Sequence, residues 1–135
     1  MEFARRVLVI AGVYGLAVVI PAYFLEGRIG RAFPPPIAHP EYYYGFLGVT
    51  LAWQVLFLFM ARDPLRYRLL LIPAVLEKVS FGVAAIALLA QHRIPLPTFA
   101  LGMVDWIFAG LFIASFTMLS AREQELRSNR SSTQP

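Results

Sequence analysis

The chain has 135 residues, of which 59% are hydrophobic and only 15% charged, with no cysteine and a formal net charge of +4. Soluble domains carry about a quarter charged residues and under half apolar ones, so this surplus, with a mean hydropathy of +0.64, requires lipid as the solvent. The missing cysteines exclude disulfides, thiolate nucleophiles and iron–sulfur ligation, and so apolar a stretch leaves no room within it for a large extramembrane catalytic domain.

A helix rises about 1.5 Å per residue and the hydrocarbon layer is about 30 Å thick, so about 20 apolar residues make one crossing. Four stretches meet that length, at about 7–25, 45–61, 69–90 and 98–121. None alternates as barrel strands do, so their backbones must be satisfied as helices. The first follows Arg5 and Arg6, exceeds a signal-peptide core of about 7 to 15 residues and meets no A-x-A-like site before Glu26; it reads as an uncleaved span. The next connection holds Pro34, Pro35, Pro36 and Pro40, a stiff extended piece, and then Tyr42, Tyr43 and Tyr44 at the level of an aromatic belt.

The second span ends at Ala61-Arg62-Asp63-Pro64, because proline cannot extend a helical ladder, and Arg66, Tyr67 and Arg68 suit the headgroup layer. Pro95 and Pro97 keep the last connection short, and residues 122–135, rich in serine and charge, read as a disordered cytoplasmic tail. Pro21 and Pro73 either kink their helices or sit near the ends. The expected fold is all-α: an integral membrane four-helix transmembrane bundle in one domain over residues 1–121.

Arg5, Arg6, Arg62, Arg66, Arg68, Arg122, Arg127 and Arg130 fall on one side of this arrangement, and Arg28, Arg31 and Arg93 on the other. The positive-inside rule then places both termini in the cytoplasm of a bacterial inner (plasma) membrane. The net charge reports orientation, not nucleic-acid binding. Membrane lipid is the first expected partner. Small residues four apart offer close helix approaches at Ala11 and Gly15, Gly48 and Ala52, Ser80 and Ala84, and Gly110 and Ala114; a homo-oligomer would use the same chemistry.

Glu77, Lys78 and Asp105 lie within the spans, with Gln54 and Thr50 as polar neighbours at related depth. A charge near the bilayer centre costs about 2.5–3.5 kcal/mol on insertion scales, so such groups face a protein interior. Successive helical residues point about 100° apart, so Glu77 and Lys78 do not share a face, and the expected arrangement sets the long Lys78 side chain between the two acids. Glu77, Lys78, Asp105 and Gln54 are therefore the candidate ligand-binding or proton-binding residues. The same charges also suit a plain registry device between helices. Trp53 and Trp106 serve as apolar filler or as walls of a pocket.

No catalytic set emerges. His39 and His92 fall in outer connections, away from any span, and make no metal site or haem ligation on their own. Asn129-Arg130-Ser131 matches a glycosylation acceptor, but it lies in the expected cytoplasmic tail. Phosphate-cradling glycine loops and the H-E-x-x-H and G-x-S-x-G motifs are missing. No cofactor is identified from the residues.

The run Tyr43-Tyr44-Gly45-Phe46-Leu47-Gly48, the turn A-R-D-P-L-R-Y-R from Ala61, P-A-V-L-E-K from Pro73 and the stretch from Val104-Asp105-Trp106 to Phe112 resemble small four-span bacterial membrane proteins of the DoxX-like set. That resemblance implies an accessory role beside a quinone-linked oxidoreductase, and it assigns no catalytic residue. The small multidrug exporters are also four-span proteins, but they depend on a glutamate in the first helix, and the span at 7–25 holds no acid. The expected function is a non-enzymatic membrane component, an accessory subunit of a larger membrane enzyme or a binder of a small amphipathic ligand. The alternatives are a proton-coupled small-molecule transporter and a quinone-linked redox subunit.

Overall fold

A computed structural model of the protein describes residues 1–34 and 36–132. In chain order these form α1 (Glu2–Ala22), α2 (Glu26–Ala32), α3 (Pro40–Met60), a 3₁₀ turn (Arg68–Leu70), α4 (Leu71–Ala90) and α5 (Leu96–Ser132), with no strand among the described residues. The protein is all-α. The helical stretches Glu2–Ala22, Pro40–Met60, Arg68–Ala90 and Leu96–Ser132 are each long and apolar enough to cross a membrane.

The prolines sit where helices tolerate them. Pro40 opens α3, Pro73 is the third residue of α4 and Pro97 the second of α5, first-turn positions whose N–H would have no helical partner anyway. Pro21 lies one residue before the end of α1. α4 stops with His92 in the left-handed region at φ 54°. The His92 amide donates to the Leu89 carbonyl and the Arg93 amide to the Leu88 carbonyl, both at 2.9 Å, the paired bonds of a Schellman stop made with histidine in place of the usual glycine.

Three boundaries differ from the sequence expectation by five residues or more. α1 begins at Glu2, not near Val7. α3 begins at Pro40, not near Gly45, because a proline at the first helical position and Glu41 in the first turn start the helix early; the tyrosine belt is thus part of α3. The connection before it holds the short helix α2 in place of a wholly extended piece, with Pro35 of its proline run outside the described residues. At the other end α5 does not stop at residue 121. It continues through Ser132, laced by Arg122–Glu125 and Arg127–Glu123 contacts, each at 2.9 Å and at helical spacing. Of the expected disordered tail, residues 133–135 lie outside the described residues.

The chain divides into two compact units. One is Leu8–Phe59. Here α1 buries Leu8, Ala11, Gly12, Gly15 and Val19 along one stripe. A Cβ placed on Gly12 would lie 2.7 Å from Leu58 Cγ, and one on Gly15 would collide with the Gln54 side chain. Tyr43 Oη donates to the Ala22 carbonyl at 2.6 Å, satisfying an orphan acceptor at the end of α1, and Tyr44 Oη donates to Glu26 at 2.8 Å. The other unit comprises Met1–Val7 with the chain from Met60 onward, where α4 packs on α5.

Large apolar side chains stand exposed along the outside of both units. Ile10, Val49, Ile72, Leu76, Ile107 and Ile113 each leave half or more of their surface uncovered. Water-soluble monomers do not display such rows on successive helices, whereas lipid tails solvate them at no cost.

Candidate functional site

The site begins with the face that α4 turns inward. Leu71, Ala74, Lys78, Gly82 and Ala85 are its buried residues, spaced three or four apart on a single stripe. Four of them are apolar or lack a side chain, and the fifth is a lysine. Two glycines bring α5 close enough to meet that lysine. A Cβ on Gly102 would lie 2.8 Å from Ala85 Cβ, and the Trp106 indole occupies the space over Gly82. Tight approach at small residues is the usual basis of helix association in lipid.

The close pairs differ from those expected. Ser80, Ala84 and Gly110 are exposed, and the working contacts are Gly82 and Ala85 against Gly102 and Trp106. Small residues occur at several phases along both helices, and spacing alone does not choose among them. The buried phase on α4 is the one that contains Lys78, the residue with most to lose in lipid. In α1, Ala11 and Gly15 do lie on the buried stripe.

Within this crossing Lys78 Nζ lies 3.0 Å from Asp105 Oδ1 on α5 and 3.2 Å from Glu77 Oε2 on its own helix. The lysine thus stands between the two acids, in the arrangement the sequence favours. Its side chain is 9% exposed, with Asp105 at 18% and Glu77 at 22%. One positive charge faces two negative ones, so the cluster as a whole carries an uncompensated acid. Glu77 Oε2 is buried and meets the Lys78 ammonium at 3.2 Å without a well-formed hydrogen bond among the described residues, so its acceptor capacity is only partly used. Glu77 also anchors its own helix turn, its carbonyl accepting from Ser80 Oγ at 2.9 Å.

The fourth candidate, Gln54, belongs to the other unit. It is almost fully buried, donates from Nε2 to the Thr50 carbonyl at 3.1 Å and fills the space above Gly15. Its burial is explained by α1–α3 packing. Trp53 packs against Phe57 at 5.9 Å between ring centroids, and Trp106 covers Gly82, so each indole has a packing role within its own unit. His39 pairs with exposed Glu41 at 3.0 Å. No group of three or more His, Asp or Glu side chains suited to a metal comes together among the described residues.

One cluster goes beyond any sequence motif. The connection after Met60 and the last turns of α5 meet through an ion pair between Arg68 and Glu123, and arginines that sequence reading uses only for orientation converge around a cavity there. The signal available in the sequence was weak: Arg127 and Arg130, three apart, share a helix face only if the helix extends that far. Comparison of the chain with protein-family models, with curated proteins and with solved structures gives no match.

Proposed function

We propose that the protein is a non-enzymatic component of a bacterial inner membrane, with both termini cytoplasmic, whose α4–α5 pair binds the polar head of a small amphiphile. The observation that carries this reading is the Lys78 cluster, with one acid in excess and a buried Glu77 oxygen whose acceptor capacity the Lys78 ammonium, 3.2 Å away, only partly uses. A head group bearing an amine or hydroxyl donor adds a hydrogen bond beside the lysine and balances the excess acid, while the amphiphile's tail lies along the exposed apolar flanks of the helices. The orientation rests on the excess of arginine at the ends of the spans that include the 62–68 connection. An accessory subunit that presents such a molecule to a larger membrane enzyme fits both this chemistry and the DoxX-like resemblance.

The test is mass spectrometry of small molecules extracted from protein purified in mild detergent. A donor-bearing amphiphile should accompany the wild type and be lost from Glu77→Gln and Asp105→Asn. Retention by both variants, or a wild type that carries nothing, contradicts the proposal.

The second reading is proton-coupled transport, with Glu77 as carrier, because a cluster of one lysine and two acids has one acid to spare for exchanging a proton. Flux into liposomes driven by a pH gradient and abolished by Glu77→Gln would favour it over passive binding.

A further inference from the structure

The α4–α5 unit carries a second polar feature where the connection after Met60 meets the last turns of α5, with no residue in common with the Lys78 cluster. A helix of 37 residues, as α5 is, measures about 55 Å, about 25 Å more than the hydrocarbon layer. The Arg66–Arg68 connection and the turn around Glu123 therefore stand near the headgroup layer, about 5–8 Å thick on each side, and the turns that carry Arg127 and Arg130 reach past it toward water. Between them lies a cavity of about 520 Å³ walled by four arginines, Arg66, Arg68, Arg127 and Arg130, and by two acids, Asp63 and Glu123.

The acids are already engaged. Asp63 Oδ1 accepts the Arg66 backbone amide at 3.1 Å, and Glu123 is shared between Arg68 and the Arg127 guanidinium, the latter at 2.9 Å. Neither Arg66 nor Arg130 forms a carboxylate ion pair among the described residues; Arg66 lies over the Tyr67 ring, 5.5 Å from its centroid. The cavity thus holds an excess of guanidinium charge, spread over two chain segments and pinned by the Arg68–Glu123 pair.

Guanidinium groups match phosphate oxygens with paired, charge-assisted hydrogen bonds. The remaining walls are apolar, from Leu65 and Leu126, and the volume falls within the range of about 300–1,000 Å³ of small-molecule sites, more than a bare phosphate fills. We infer that this cavity binds a phosphate ester, with the anionic headgroup of a phospholipid as its source and the two leucines against the glycerol and first methylenes. The inference shares only the membrane placement with the function proposed above.

Binding is measured with the full chain in mild detergent, titrated with short-chain phosphatidylglycerol or, for comparison, zwitterionic phosphatidylcholine, with inorganic phosphate as competitor. The wild type should prefer phosphatidylglycerol. Each arginine near an anionic headgroup contributes about fivefold in affinity, so Arg66→Gln with Arg130→Gln should weaken binding about 25-fold. Arg28→Gln with Arg31→Gln, changed outside the cavity, should alter it less than about twofold. Asp63→Asn keeps the acceptor for the Arg66 amide and removes a negative charge, so it should tighten binding; it also keeps the inference testable should the double arginine variant fold poorly. Competition by millimolar phosphate would assign the site to a soluble phosphate compound, and its absence to lipid. Equal affinity for the two lipids, an unaffected double variant, or weaker binding in Asp63→Asn overturns the inference.

Discussion

Lys78 is the only lysine in the chain, and it is placed where an ammonium is most costly unless paired. Its two carboxylate neighbours within 3.2 Å make that position tolerable, and the dependence is asymmetric. Removing one member of a buried ionic cluster strands the others, whereas removing all the charges together is close to neutral. Lys78→Met should therefore destabilise the protein by about 3 kcal/mol in detergent unfolding measurements. The combined variant Glu77→Gln, Lys78→Met, Asp105→Asn should lie within about 1 kcal/mol of wild type. If the single and combined changes cost the same, the three groups do not act as a unit. This cluster was legible in sequence because charges inside apolar spans have few places to go. The packing role of Gln54 was not legible: an amide with no net charge gives no sequence sign that it fills the space over Gly15 and bonds the Thr50 carbonyl.

At the scale of elements, the crossing of α4 and α5 depends on Gly102 as a point of closest approach. The atom that a new Cβ would meet is Ala85 Cβ, 2.8 Å away, and that atom cannot rotate aside because it is fixed to the backbone of α4. Gly102→Val should push the helices apart, cost about 1–3 kcal/mol by overpacking and lengthen the Lys78–Asp105 contact. Gly110→Val, where an added Cβ meets nothing within 4 Å, should change thermal stability by less than about 0.5 kcal/mol. The reverse ranking would mean that the helices cross at another phase. Hydropathy alone located all four apolar helices, but their ends followed local chemistry. Pro40 starts α3 early, and Glu123, held by Arg68 and Arg127, carries α5 through a stretch whose composition reads as disordered. A long-range ion pair of that kind leaves no trace in local sequence.

For the whole molecule the governing fact is its solvent. Four helices of membrane-spanning length expose rows of leucine, isoleucine and valine, and the charges that would be intolerable among those rows are drawn into the α4–α5 crossing or gathered at helix ends. The fold class was legible from composition because the bilayer imposes length and apolarity on every span; the choice of buried face was not, because lipid rewards any apolar face equally and only packing discriminates. The most direct test of this account uses the sequence's own economy, with one lysine and two aspartates, Asp63 and Asp105. In bilayers, solid-state NMR with ¹⁵N at the lysine Nζ and ¹³C at the aspartate carboxyls reads the Lys78–Asp105 separation without substitutions. Strong dipolar dephasing, as expected for an Nζ–Oδ1 contact of 3.0 Å, is the result predicted, and the absence of dephasing would show that the lysine does not bridge the helices and contradict the account.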